Sequence, residues 1–223
     1  MSDYYSKFLS AERLKLCYDL APPRVSQYLE EEIEFVKQKI KPGDYVLELG
    51  CGYGRILGAI YPKTKYLFGI DKSLENLLFG RHNFLSSGSC LLSAMDAFDP
   101  AFKSKTFDLV FCIQNGISAF GGDPELLIEK AIRLTKPGGS VLFSSYSDKF
   151  WSQRLEWFKI QSENNLIGEI DYDLSVNGSI FCKDGFRAST FNEEKFTVLT
   201  SGINKEVKTY EIDESSVFCE IIV

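Results

Sequence analysis

A chain of 223 residues with 44% apolar and 25% charged side chains carries enough core-forming material for one folded α/β domain and lacks the composition of a disordered segment. Its 25 basic residues are outnumbered by 31 acidic ones, a net charge of −6 that repels phosphate backbones and argues against nucleic acid as a partner. No run reaches the roughly 18 apolar residues of a membrane span, and the opening MSDYYSKFLSAERLK lacks the apolar stretch of a secretory signal. A cytoplasmic protein without a membrane partner is expected.

Pro22-Pro23 predicts a helix start, because missing N–H groups cost nothing in the first turn. Val25, Leu29, Ile33, Val36 and Ile40 then recur at helical spacing, with Glu30, Glu31 and Glu32 expected on a solvated face and Pro42-Gly43 as the stop. From Tyr45 the pattern alternates. YVLEL reads as a strand, followed by a glycine cluster and a helix near Arg55–Ile60. Tyr66–Ile70 is a second strand, and Ser73 caps a helix whose Leu74, Leu77, Leu78, Arg81, Phe84 and Leu85 share one stripe. A short strand lies near Cys90–Leu92. The unbroken apolar run Phe107–Ile113 predicts a strand buried on both faces. A helix follows from Asp123-Pro124 to about Leu134, then a turn at Lys136–Gly139 and a fifth strand from Ser140. Such alternation implies right-handed crossovers and a mostly parallel, doubly wound sheet.

Beyond a helix at Lys149–Gln161 the rhythm changes. Glu169–Phe181 reads as two extended runs turning at Asn177-Gly178, a strong hairpin signal. A helix at Glu193–Ser201 precedes strands at Glu206–Ile212 and Val217–Val223, whose short connection forces antiparallel pairing. The six cysteines form no CxxC pair and read as reduced thiols; with His82 the single histidine, no metal site is expected.

The chemistry concentrates in Glu48-Leu-Gly50-Cys51-Gly52-Tyr53-Gly54, between the first strand and its helix. Glycines there allow a sharp turn and close ligand approach beside a helix N-terminus. The third glycine comes one residue too early for the dinucleotide pattern G-x-G-x-x-G, and Glu48 would repel a pyrophosphate. The segment resembles the first motif of class I S-adenosylmethionine-dependent methyltransferases, an acid followed by G-x-G-x-G. The resemblance continues in order through Asp71 at the end of the second strand, Met95-Asp96-Ala97 after the third, the fourth strand running into Gln114-Asn115, and Lys136-Pro-Gly-Gly139 before the fifth. It spans roughly Tyr45 to Phe143.

This resemblance implies S-adenosylmethionine as cofactor, held by Glu48, Gly50, Cys51, Gly52, Tyr53, Gly54, Asp71, Lys72, Met95, Asp96, Ala97 and Ile113. Asp71 would take the ribose hydroxyls and Asp96 the adenine amine. Local roles compete: Asp71 also suits capping of the next helix, and Asp96 a turn. The family's seven-stranded Rossmann-like sheet with antiparallel last strands is expected too. Positioning dominates such a reaction, so no catalytic residue is nominated. Gln114, Asn115, Tyr146 and Arg154 are candidates for orienting the acceptor. An Asn-Gly turn accounts for Asn115 equally well, and Arg154 either binds a carboxylate or packs on Trp151 at the surface. His82 is expected at the surface. Tyr4, Tyr5, Phe8 and Tyr18 either form a lid or anchor the N-terminal segment.

The sequence therefore predicts one methyltransferase domain over 1–223. Within it, 1–43 is an N-terminal helical cap, 44–160 the cofactor-binding core, 161–190 an inserted hairpin over the substrate or at a homodimer contact, and 191–223 the end of the sheet. The expected acceptor is a small molecule, since the N-P-P-[YF] pattern of nucleic-acid and glutamine-amide methylation is missing after the fourth strand. A nucleotide-binding oxidoreductase and a non-enzymatic S-adenosylmethionine-binding module are the alternatives.

Overall fold

The computed structural model describes residues 4–64, 66–85 and 90–223. Two short helices, α1 (Tyr4–Phe8) and α2 (Ala11–Asp19), lead into α3 (Pro23–Lys39), which starts at the expected proline. The alternating unit follows: β1 (Tyr45–Leu49), α4 (Arg55–Ile60), β2 (Tyr66–Asp71), α5 (Leu74–Asn83), β3 (Leu91–Ala94), β4 (Phe107–Cys112), α6 (Gly116–Ala119), α7 (Pro124–Leu134) and β5 (Thr135–Tyr146). A 3₁₀ turn at Asp148–Phe150 runs into α8 (Trp151–Glu163). The short strands β6 (Ser179–Phe181) and β7 (Arg187–Ser189), α9 (Glu193–Thr200), β8 (Glu206–Ile212) and β9 (Ser216–Ile222) complete the chain.

Seven strands form one sheet in the order β3-β2-β1-β4-β5-β9-β8; the first five are parallel, and β9 runs antiparallel to both neighbours. Successive side chains of a strand point to opposite faces, and β4 serves both. Leu109 and Phe111 pack with α3 and α4 through Val36, Ile56 and Leu57, whereas Phe107, Val110 and Cys112 pack with α7 and α9 through Leu127, Ile128 and Phe196. A third apolar cluster joins Leu9, Cys17 and Tyr28 from the N-terminal helices to Trp157 and Phe158 on α8 and to Ile180 and Phe186 of the β6–β7 hairpin.

Four sequence expectations are corrected. The stripe on α5 is not its buried face: Leu74, Leu78 and Phe84 are exposed, and Asn76, Leu77 and Gly80 face inward. The helix is drawn in on that side because Gly80 abuts the backbone of Tyr53, where an added Cβ would lie 2.1 Å from the carbonyl oxygen, and because Asn76 Oδ1 accepts from Ala11 N–H at 2.6 Å. Lys136–Gly139 is not a free turn but a bulge within β5, where pairing with β4 jumps from Phe107–Thr135 to Leu109–Ser140. Asn177-Gly178 adopts the positive φ of a turn, 51° and 77°, yet the hairpin turns at Cys182–Phe186. Residues 171–175 are drawn into a local turn by the Asp171 carboxylate, which accepts from Leu174 N–H, so that side forms no strand beyond the Ile170–Cys182 bridge. Finally, Glu32 is fully buried rather than solvated.

The contact at Gly80 gives a direct test. Gly80→Ala must push α5 off the glycine loop, so denaturant titration is expected to show a loss of about 1–3 kcal/mol, despite alanine's higher helix propensity. A gain in stability would show that the close approach is not required.

Candidate active site

A cleft opens at the carboxyl ends of β1, β2 and β4, where the strands of a parallel sheet release their loops. Its floor is the loop after β1. Gly50, Gly52 and Gly54 all take positive φ, at 71°, 53° and 78°, and the backbone N–H groups of Gly50 and Cys51 both donate to Ile70 O on β2. The loop stays clear of side chains for a steric reason: a Cβ on Gly50 would lie 2.7 Å from the ring of Phe120. Asp71 secures the arrangement, accepting from Gly52 N–H through Oδ2 and from Ser73 N–H through Oδ1, each at 2.8 Å. The cap of α5 is Ser73, whose Oγ accepts from Asn76 N–H; Asp71 fixes the backbone of that cap and lines the cleft as well.

Of the predicted cofactor residues, Glu48, Gly50, Cys51, Gly52, Tyr53, Asp71, Lys72, Met95, Ala97 and Ile113 line this cleft. Gly54 and Asp96 do not. Gly54 is the left-handed residue that starts α4, and Asp96 has both oxygens occupied, one by Phe98 N–H at 2.9 Å and the other by Lys72 at 2.8 Å. Burial alone would raise the pKa of Asp96, but the Lys72 contact and the backbone bond outweigh it and hold the carboxyl below its ordinary value.

Glu48 is different. It is buried at the end of β1 and its Oε2 has no hydrogen-bond partner. Burial pushes its pKa up to about 8, with Arg55 opposing and Asp71 reinforcing. An orphaned, desolvated carboxyl on a ligand-sized cleft is a receptor for a cationic or hydrogen-donating group.

Beyond β4 the backbone enters the left-handed region at two successive non-glycine residues, Gln114 (φ 56°) and Asn115 (φ 60°). Both line the cleft. Asn115 is the turn residue that starts α6, and its Oδ1 accepts from Ser145 Oγ at 2.6 Å. The backbone N–H of Gln114 donates to Glu32 Oε2, reaching in from α3, and to Ser144 Oγ, each at 2.8 Å. The Gln114 side chain accepts from Arg55 Nη2 at 2.5 Å, leaving its Nε2 buried and without a partner.

The roof comes from outside the alternating core. Tyr5, and Leu14, Cys17 and Tyr18 of α2, face Trp157, Phe158 and Gln161 of α8 across the cleft. Trp157 Nε1 donates to Cys17 O at 2.9 Å, tying the two helices together. Tyr4 and Phe8 do not line the cleft. Tyr4 packs on Phe186 and donates to Asp184, and Phe8 is exposed.

Tyr146 lines the cleft, whereas Arg154 sits behind it, with its guanidinium 4.5 Å above the Tyr146 ring. The surface reading of Arg154 is corrected. It is fully buried and donates to Gly178 O and Ala188 O of the hairpin segment, and its Nε has no partner. His82 is exposed, as expected. Among the described residues no group of acids, histidines and cysteines is arranged to hold a metal ion.

Glu32 and Arg55 are the residues that sequence reasoning missed. Arg55 was legible only as the residue after the last loop glycine. Glu32 carried no signal beyond lying one residue before Ile33 of the apolar stripe. Its pKa is raised by burial to about 8, partly offset by bonds from Ser144 and Gln114. Because the folded-state pKa of Glu32 exceeds its unfolded value, the native state binds a proton that the unfolded chain has lost between about pH 4.5 and 8. This lowers stability as pH rises through that window, by at most about 1.4 kcal/mol per pH unit. Glu32→Gln retains an oxygen for Gln114 N–H, so urea titrations are expected to show it gaining on the parent protein between pH 5.5 and 8. A constant difference across that range would mean that Glu32 is ionised throughout.

Residues 46–139 match the family described as a methyltransferase domain. Phosphoethanolamine N-methyltransferase 1 from Zea mays is 26% identical over 84% of this chain, and a ubiquinone biosynthesis O-methyltransferase from Pseudomonas fluorescens is 27% identical over 59%. The chain spans only 37% and 53% of those proteins' lengths. A methyltransferase from Thermotoga maritima, described as a possible histamine N-methyltransferase, superposes over the whole of both chains with a TM-score of 0.64 at 20% identity. No helix among the described residues is long and apolar enough to cross a membrane. The methyltransferase-domain match thus lies across the parallel sheet, and the chain shares its fold from end to end with that Thermotoga maritima methyltransferase.

Proposed function

We propose that residues 1–223 act as one methyltransferase domain, in which the cleft binds S-adenosylmethionine and a small-molecule acceptor. The observation that carries this reading is the orphaned Glu48 Oε2 beside a glycine loop whose backbone lies open to the cleft. A buried carboxyl without a partner is costly. The ammonium of an amino-acid moiety would repay that cost, whereas a pyrophosphate would increase it. Asp71 accepts one hydrogen bond on each oxygen and has lone pairs left for ribose hydroxyls. Met95 and Ala97 offer apolar contact to a base. Lys72 and Asp96, paired at the rim, are assigned to shaping the cleft entrance.

Bound there, the cofactor supplies a methyl group on a sulfonium, so that an acceptor lone pair displaces a neutral thioether. The protein's task is alignment and exclusion of water. Gln114 and Asn115 leave β4 in a strained, doubly fixed conformation, which suits them to orient an acceptor. Tyr5, Tyr18, Trp157 and Phe158 close the cleft with rings, and burial raises the pKa of Tyr5 and Tyr18, keeping both as neutral donors. The names of the relatives, an N- and an O-methyltransferase of small molecules, favour a small acceptor.

S-adenosylhomocysteine is expected to raise the melting temperature of the purified protein while NAD leaves it unchanged. Asp71→Ala is expected to abolish the shift, because it loosens the glycine loop and removes the ribose acceptor. The reverse pattern, stabilisation by NAD alone, would select the oxidoreductase alternative. Glu48 also gives binding a proton signature. Its carboxyl is mainly protonated at pH 7 with a pKa of about 8, and contact with an ammonium ionises it. Calorimetry in buffers of differing ionisation enthalpy should therefore detect proton release at pH 7, and Glu48→Gln should remove it. Equal heats in all buffers would contradict the assignment.

A further inference from the structure

Two arginines at the aromatic side of the cleft have no carboxylate partner among the described residues. Arg55 lines the cleft at the start of α4. Its guanidinium lies 4.4 Å over the ring of Tyr18 and donates one hydrogen bond to Gln114 Oε1. That bond fixes the orientation of the Gln114 amide, so the atom left unsatisfied is Nε2, a donor. Arg154 lies behind Tyr146, a ring of the cleft wall, fully buried, donating to two backbone carbonyls, packed among rings and with Nε unsatisfied.

Arg24, Lys39, Lys72, Lys136 and Lys149 contact acids, whereas Arg13 and Arg133, like Arg154, donate to backbone carbonyls; what sets Arg55 apart is that it lines the cleft. Leaving a buried guanidinium unpaired is expensive. Beside Gln114 the cleft presents donors, the remaining N–H groups of Arg55 and the unpartnered Nε2 of Gln114, while the unpartnered acceptor of the same cleft is Glu48 Oε2. The walls between them are flat rings.

We infer that the methyl acceptor is an organic oxyanion, a carboxylate or phosphate carried on an apolar or aromatic body, whose oxygens are received by Arg55 and Gln114 Nε2. Arg154 supplies a second positive charge from behind Tyr146. This inference rests on the methyltransferase reading but goes beyond it by naming the acceptor's charge and placing Arg55 in its recognition. A cationic amine would meet the Arg55 guanidinium with a second one behind Tyr146, and a neutral ligand would leave the remaining N–H groups of Arg55 without a charged acceptor. Charge-assisted hydrogen bonds are about twice as strong as neutral ones, so the anion should be preferred over its neutral isostere by about tenfold or more.

The test uses the full chain saturated with S-adenosylhomocysteine and four probes of similar size: benzoate, phenyl phosphate, benzamide and benzylamine. Calorimetric titration is expected to give binding of at least one of the two anions about tenfold or more tighter than benzamide, with benzylamine weakest. Arg55→Gln, a change at a half-exposed position, is expected to bring the ratio of benzoate or phenyl phosphate to benzamide close to one. Arg154→Lys, which retains the charge, is expected to preserve it. Benzamide or benzylamine binding as tightly as the anions overturns the inference, as does no binding by any probe, or an anion preference that survives Arg55→Gln. If S-adenosylhomocysteine itself fails to saturate the protein, the cofactor reading fails first and the acceptor inference with it. If it saturates and the anions are not preferred, only the acceptor inference falls.

Discussion

The Asp71 carboxylate is the fixed point around which the cleft is built. One oxygen holds the backbone N–H of Gly52 in the loop after β1, and the other holds Ser73 N–H at the start of α5. Two segments that must separate to pass around a ligand are thereby locked to the end of one strand. The close packing follows from this lock. Gly80 of α5 comes against the backbone of Tyr53, and Asn76 of the same helix faces inward and accepts from Ala11 of the N-terminal segment. The chain from α2 through the glycine loop to α5 is therefore one connected structure, and the roof is registered to the floor through a single carboxylate.

Charge is distributed unevenly around that structure. Away from the cleft, Arg24, Lys39, Lys136 and Lys149 pair with acids. Within and behind the cleft, Glu48 and Glu32 are buried and pushed toward their neutral forms, Glu48 despite the opposing charge of Arg55, while Arg55 and Arg154 form no salt bridge among the described residues. Such separation stabilises nothing in the free protein; it costs stability. A ligand pair that is positively charged at Glu48 and negatively charged at Arg55 offsets this cost on both sides.

The architecture was largely legible because its signals are local and periodic. Largely apolar strands such as Phe107–Cys112, the caps at Ser73 and Asp123, and the short β8–β9 connection each dictate local geometry without reference to distant residues. Most of the cleft lining was legible for a related reason: parallel strands deliver their carboxyl ends, and the loops attached to them, to one edge. What failed to show depends on tertiary choice. Whether α5 turns Leu78 or Gly80 inward is decided by Tyr53, far from it in sequence. Glu32 belongs to an acidic run that is otherwise solvated, and only the meeting of α3 with the end of β4 buries it. Asn177-Gly178 does make a turn, but pairing downstream moved the hairpin to Cys182–Phe186, because Asp171 had already bent the preceding segment. Arg154 does pack on Trp151, one of the two roles its position offered; that the hairpin segment would cover it was not written in the helix itself.

The central claim is that the glycine loop, Glu48 and Asp71 form a cradle for S-adenosylmethionine. A crystal structure of the protein grown with S-adenosylhomocysteine tests it most directly. The account predicts the nucleoside ribose at Asp71, the amino-acid ammonium at Glu48, and the sulfur facing Gln114. A ligand bound elsewhere, or one in the cleft with Glu48 Oε2 still without a partner, would contradict it.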